Sequence, residues 1–392
     1  MMPAEAIAGF QLFEGSAIGR FLARWPRLAA AAGSAPRRAC FLAAVAWAPL
    51  ALLAYIDGRA TAGVAVPFFA DLGVQVRFLL ALPLLVLAEG YAHRVITPML
   101  GAFISRDVVG VPDRPRFKAI LAAATRANLS LWALALLVVI VMIIGRQIWT
   151  WASALPESTW YGEAGATVTG WTPAGRWLAW VSIPLFQFLL IRWYCRLVLW
   201  AILLARVARL PLRLVAIHPD GAGGIGFLDN RIYAFGPLLI AHGCLYAGVI
   251  GNRILQGNGS LPDYRYEIAG AAIVIACLVL GPYTTFFPRL WALKHEGRSA
   301  FSSLASRYVQ EFDARWISGT KPTGESLVGS PDIQSLADLG NSYDVVRHMR
   351  LLPFTTKSAA KVAAWILAPL LPLTLTMFSV EDVVRRLVKL LL

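Results

Sequence analysis

Residues 177–204 read WLAWVSIPLFQFLLIRWYCRLVLWAILL, with Arg192 and Arg196 as the only charges. About 20 mostly apolar helical residues cross the hydrocarbon core of a bilayer, and this stretch exceeds that. A helix apolar on every face belongs in lipid or at the centre of a large core. Five further segments share the character: 39–56, 72–89, 129–144, 232–250 and 267–287. A seventh, 362–380, is apolar but holds Pro369 and Pro372. It reads as a kinked span or a re-entrant segment, the latter tolerated at membrane depth only where protein covers it. The pattern predicts an all-α fold: a polytopic integral membrane helical bundle of six transmembrane helices plus a Pro-kinked seventh.

Composition supports the same class. Of 392 residues, 58% are hydrophobic and only 15% charged, against about 25% charged in ordinary globular domains. Such a chain cannot hide its apolar surface as a soluble globule, and it is far too apolar to be disordered. The net charge of +14 does not call for nucleic acid, which is not expected as a partner, because cytoplasmic membrane loops gather Lys and Arg. Residues 1–38, 90–128, 206–233 and 288–361 together hold 25 basic residues, whereas 57–71, 145–176 and 251–267 hold 5. This alternation predicts a multi-pass protein of the inner (plasma) membrane with a cytoplasmic N-terminus. Arg385, Arg386 and Lys389 oppose the rule if there are seven spans, so the side of the C-terminus stays open. Cys40, Cys195, Cys244 and Cys277 all fall in apolar segments and read as free, packed thiols, not disulfides.

Five regions follow. Residues 1–38 form a basic N-terminal segment, with 10–28 mixing large apolar residues and Arg as an interfacial helix would. Residues 39–287 hold the six-helix region. Residues 288–358 form a small helical appendage, in which 290–317 continues the sixth span. Ser330-Pro331-Asp332 starts a helix by hydroxyl cap, proline and acid, and Gly340 is expected to end it, with Asn341 or Ser342 capping another. Residues 359–380 are the seventh span or re-entrant segment, and 381–392 an amphipathic tail.

Three places carry candidate chemistry. Counting about 1.5 Å per helical residue from the opposite surface puts Glu89, Arg192 and Arg196 at a shared depth near the cytoplasmic boundary. Arg192 and Arg196 lie on one face, so pairing with Glu89 is expected, since isolated charges there are costly; His93, one turn on, could join. His242 falls near mid-membrane on a span that also carries Gly236, Gly243 and Gly248. A ring titrating near neutral pH can relay protons or bind a ligand, or simply bond to a neighbouring helix. The loop His218-Pro219-Asp220-Gly221-Ala222-Gly223-Gly224-Ile225-Gly226 could present N–H groups to an anion, with His218 and Asp220 as a metal or acid–base pair. It lacks the Lys-Ser/Thr ending and preceding strand of a phosphate loop, and reads equally as a tight turn.

No catalytic set, metal site or cofactor is expected. The leading functional expectation is a channel or transporter for a small solute or ion, an anion being slightly preferred. Second comes a membrane-embedded signalling or scaffold protein docking an unknown partner through 288–358, and third a lipid-modifying enzyme. A homo-oligomer is compatible with each.

Overall fold

A computed structural model describes residues 9–13, 34–145, 147, 158–163, 170–319 and 330–377. The protein is an all-α integral membrane bundle, with no strand among the described residues. Six helices are long and apolar enough to cross a bilayer: α1 Ala35–Ile56, α2 Leu72–Ser105, α5 Pro173–Ala208, α6 Gly226–Leu255, α7 Leu261–Ile317 and α9 Thr356–Met377. Between α2 and α5 come α3 Arg114–Asn128 and α4 Leu131–Ile140. Helix α8, Pro331–Arg347, lies between α7 and α9.

Of the seven segments expected, six stand as single spans; the exception is 129–144, which makes a seventh only if it is joined to the helix before it. The segment expected at 129–144 is interrupted at Ser130, which caps α4, and the apolar part is bent by 45° from the helix before it. With its π-helical extension Val141–Gly145, α4 rises only about 22 Å at ~1.5 Å per residue. It needs α3 to complete a crossing. The seventh segment is one of the six. Its last ten residues, Ala368–Met377, form a 3-10 helix around Pro369 and Pro372. That form rises about 2.0 Å per residue, so prolines that end the α-helix leave a longer rod.

Two spans share a local device. In α2 the segment Arg77–Ala81 is π-helical and is followed by Leu82-Pro83; in α5 Leu178–Ser182 is followed by Ile183-Pro184. Proline removes a donor and crowds the preceding turn. A widened turn directly before it accommodates the ring without ending the helix.

Helix α6 is the centre. Its apolar window is 67% buried, against 17–44% in the other five spans. It packs on α2 and α9, while α1 packs on α2 and α5. Close approach explains this. A Cβ on Gly243 would run into the Ile366 carbonyl and the Pro369 ring of α9, and one on Gly248 would lie 3.3 Å from the Gly73 Cα of α2. Van der Waals contact between close backbones is what binds helices in lipid.

One end of the bundle carries the hairpin of α7 and α8. The α7 rod passes residue 288 without a break, and α8 packs back along it. Gly340 does not end α8, which continues to Arg347. Nothing lies within 4 Å of a Cβ placed there, and packing on α7 overrides the ~1 kcal/mol helix cost of one glycine. Beside it, Arg289 donates to the carbonyls of Ala208, Arg209 and Leu210 at 3.2–3.3 Å, capping the otherwise orphan C-terminus of α5.

Of the N-terminal segment 1–38, residues 34–38 open α1, with Ser34 as its cap, and residues 9–13 form turn and bend. Phe13 is buried against Trp193, Trp200 and Phe235, so this part lies inside the bundle and not along the bilayer surface. Residues 1–8, 14–33, 320–329 and the tail 381–392 lie outside the described residues. All four cysteines are free, but only Cys244 is buried; Cys40, Cys195 and Cys277 face outward, where lipid supplies the apolar surroundings expected of protein packing.

Candidate functional site

Glu89 on α2 and the two arginines of α5 meet in the bundle. Arg196 Nη1 lies 2.8 Å from Glu89 Oε1 and Arg192 Nη1 lies 3.9 Å from it. All three residues are buried, Arg196 to 1% exposure. Arg196 Nε also points at Asn128 Oδ1, 3.5 Å away, and its guanidinium lies 5.5 Å from the Trp193 ring. Asn128 in turn donates to the Gln11 carbonyl at 2.8 Å. The Arg196 Nη2 nitrogen is buried with no hydrogen-bond partner. His93 lies 3.4 Å from Thr97 Oγ1 on the next turn.

His242 is 5% exposed. Its Nδ1 lies 2.8 Å from the Leu238 carbonyl, which can only accept, so that nitrogen carries hydrogen. Its Nε2 is 3.0 Å from the Tyr194 hydroxyl of α5. A ring with Nδ1–H donating and Nε2 accepting is satisfied while neutral. The histidine thus ties α6 to α5, and a proton arriving at Nε2 would still find the tyrosine oxygen as acceptor.

The glycine-rich loop turns its N–H groups inward. Asp220 Oδ1 accepts from Ala222 and Gly224, and Oδ2 from Gly226, at 2.7–3.1 Å. The anion in this nest is therefore the chain's own carboxylate. Partial burial pushes that carboxyl up, but the three backbone donors and nearby His218 outweigh it and hold it below the ordinary aspartate range. His218 Nδ1 is 3.0 Å from Asp220 Oδ1. Gly221, Gly223 and Gly224 all have positive φ. The loop is also the joint between bundle and hairpin. Arg350 donates from its backbone to Gly221 O and from its side chain to Asp220 O, and Lys294 donates to Met349 O. No group of three or more metal-ligating side chains occurs among the described residues.

At the far end lies a cluster that sequence reasoning missed. Asp71 caps α2 by accepting from Val74 N–H, and also accepts from Trp160 Nε1 at 3.0 Å and Asn252 Nδ2 at 2.8 Å. A carboxylate directly ahead of an apolar span was visible; its two partners, 89 and 181 residues away, were not. Tyr194 as the partner of His242 was equally hidden, since the two lie 48 residues apart on different helices. No known family model, curated protein or solved structure matches this chain.

Proposed function

We propose that this integral membrane protein is a docking or signalling protein. Its bundle holds the hairpin of residues 288–358, and the hairpin presents a surface to a protein partner on the cytoplasmic side. The observation that carries this is the continuity of α7, a single helix of 57 residues that runs from its apolar start at Leu261 into the hairpin. At about 1.5 Å per residue it spans roughly 85 Å, far beyond the bilayer. Its return linker is bonded to the glycine-rich loop, so movement at the hairpin reaches the start of α6. Leu304, Val309, Ile317 and Ile333 are exposed on the hairpin, apolar side chains that a protein partner would cover.

The test is photo-crosslinking in cells, with a crosslinking amino acid at Leu304 or Ile333 and a lipid-facing control at Leu79. A discrete protein adduct at the hairpin positions and not at Leu79 supports docking; background labelling at every hairpin position overturns it.

One observation favours a second reading, a channel or transporter with a preference for anions. Two buried guanidiniums face the Glu89 carboxylate, and Arg196 Nη2 has a free hydrogen-bonding capacity that an anion could fill. Proteoliposome flux over an anion panel, comparing wild type with Arg196→Gln and His242→Ala, decides this. Sealed vesicles with no anion flux exclude it.

A further inference from the structure

Where α6 and α9 begin, on the hairpin side of the bundle, a half-open cavity of about 370 Å³ is lined by Asp229, Asn230, Ile232, Tyr233, Ser358, Lys361 and Trp365. The three α9 residues recur at i, i+3 and i+7, which puts them on one stripe of the helix. That stripe is graded. Ser358 and Lys361 are polar, and Trp365, about 10 Å further along at ~1.5 Å per residue, is amphipathic and lies against Gly236. Across the cavity, Asn230 is exposed and Ile232 buried.

The charges are uneven. Asp229 is already engaged: Oδ1 accepts from Thr355 N–H at 2.9 Å, and Oδ2 lies 3.7 Å from Arg350 Nη1. Lys361 is exposed, with no salt bridge to another side chain among the described residues. Arg231 donates to the Tyr233 hydroxyl at 3.0 Å, placing a second cation at the rim. The Ser358 side chain adds a hydroxyl, and it lies 3.2 Å from Thr355 Oγ1.

We propose that this cavity binds the phosphate of a membrane phospholipid. Lys361 and the Ser358 hydroxyl hold the phosphate, and Trp365 and Ile232 meet the glycerol and first acyl carbons. The gradient from cation to indole within one stripe matches an amphipath lying along a helix and has no use for a free anion. Basic pockets between spans on the cytoplasmic side hold lipid headgroups in this manner. The site does not depend on what the hairpin docks.

The test uses the full chain in detergent, measured by native mass spectrometry. The probes are phosphatidylglycerol, a diacylglycerol of identical chains, and inorganic phosphate. Wild type should retain phosphatidylglycerol about tenfold better than the diacylglycerol, as expected for a hydrogen bond to a charged group. Lys361→Gln should lose about the same factor while its unfolding temperature without lipid stays at the wild-type value. Lys357→Gln, which removes an equal charge outside the cavity, should retain the lipid as wild type does. Equal retention by Lys361→Gln and wild type would overturn the proposal. So would displacement of the lipid by inorganic phosphate, which would assign the cavity to a free anion.

Discussion

At the scale of single residues, the energetics are set by a few buried charges. Glu89 and Arg196 are in direct ion contact inside the bundle. Removing one partner of a buried pair leaves the other uncompensated, at a cost of about 3–5 kcal/mol. Glu89→Gln should therefore lower the detergent unfolding temperature sharply, and Glu89→Arg combined with Arg196→Glu should restore part of it. An unchanged unfolding temperature in Glu89→Gln would show that the pair contributes nothing. Asp220 gives a pH signature. Its carboxyl is held below the ordinary value of 3.8, so folding favours the ionised form. The stabilisation is fully present above that value and is lost as pH falls through the depressed one. Partial exposure still screens the charge in part. Unfolding followed from pH 6 down to about pH 3 should show wild type losing stability more steeply than Asp220→Asn; parallel curves would mean the carboxylate is not held by the loop.

At the scale of elements, turns and joints decide more than propensity does. Of the three positive-φ glycines in the loop of residues 218–226, Gly221 at φ +63° and Gly223 at φ +67° have nearly the same backbone conformation. A side chain on either meets the same backbone strain, about 1–2 kcal/mol. Only Gly223 is also crowded, with Leu293 Cδ2 2.8 Å from its ideal Cβ, whereas the nearest atom to Gly221 is 3.8 Å away. Gly223→Ala should hence destabilise more than Gly221→Ala, the difference measuring how tightly α7 presses on the loop. Equal losses in thermal unfolding would show that the hairpin does not rest there. The π-helical turns ahead of Pro83 and Pro184 follow a similar logic: the proline is legible in the sequence, and the widened turn that lets the helix continue is seen only in the structure.

At the scale of the whole molecule, α6 is the axle and α7 the arm. Basic residues concentrate in the segments on the hairpin side, and from the positive-inside rule we propose that this side is the cytoplasmic one. In a cysteine-free background, Asn258→Cys should react with an impermeant maleimide in intact cells, and Ser303→Cys only after permeabilisation; both positions are exposed. Labelling of Ser303→Cys in intact cells would invert the orientation.

The amino-acid sequence by itself determined the class. Apolar runs of spanning length, sparse charges and loop arginines are local quantities, and the bilayer reads them one segment at a time. It also placed Glu89, Arg192 and Arg196 at one depth, because helical rise converts residue number into distance. Tertiary structure alone decided which spans stand straight: residues 129–144 break at Ser130, Gly340 passes unnoticed through α8, and Pro369 and Pro372 stay within a rod. It also decided which polar atoms find each other. Asp71 with Trp160 and Asn252, His242 with Tyr194, and Lys361 facing a cavity beside Asp229 all join segments far apart in the chain. Rotation of each helix about its axis sets those partners. That rotation is chosen by how glycines and large side chains interlock across several helices at once, which no single segment encodes.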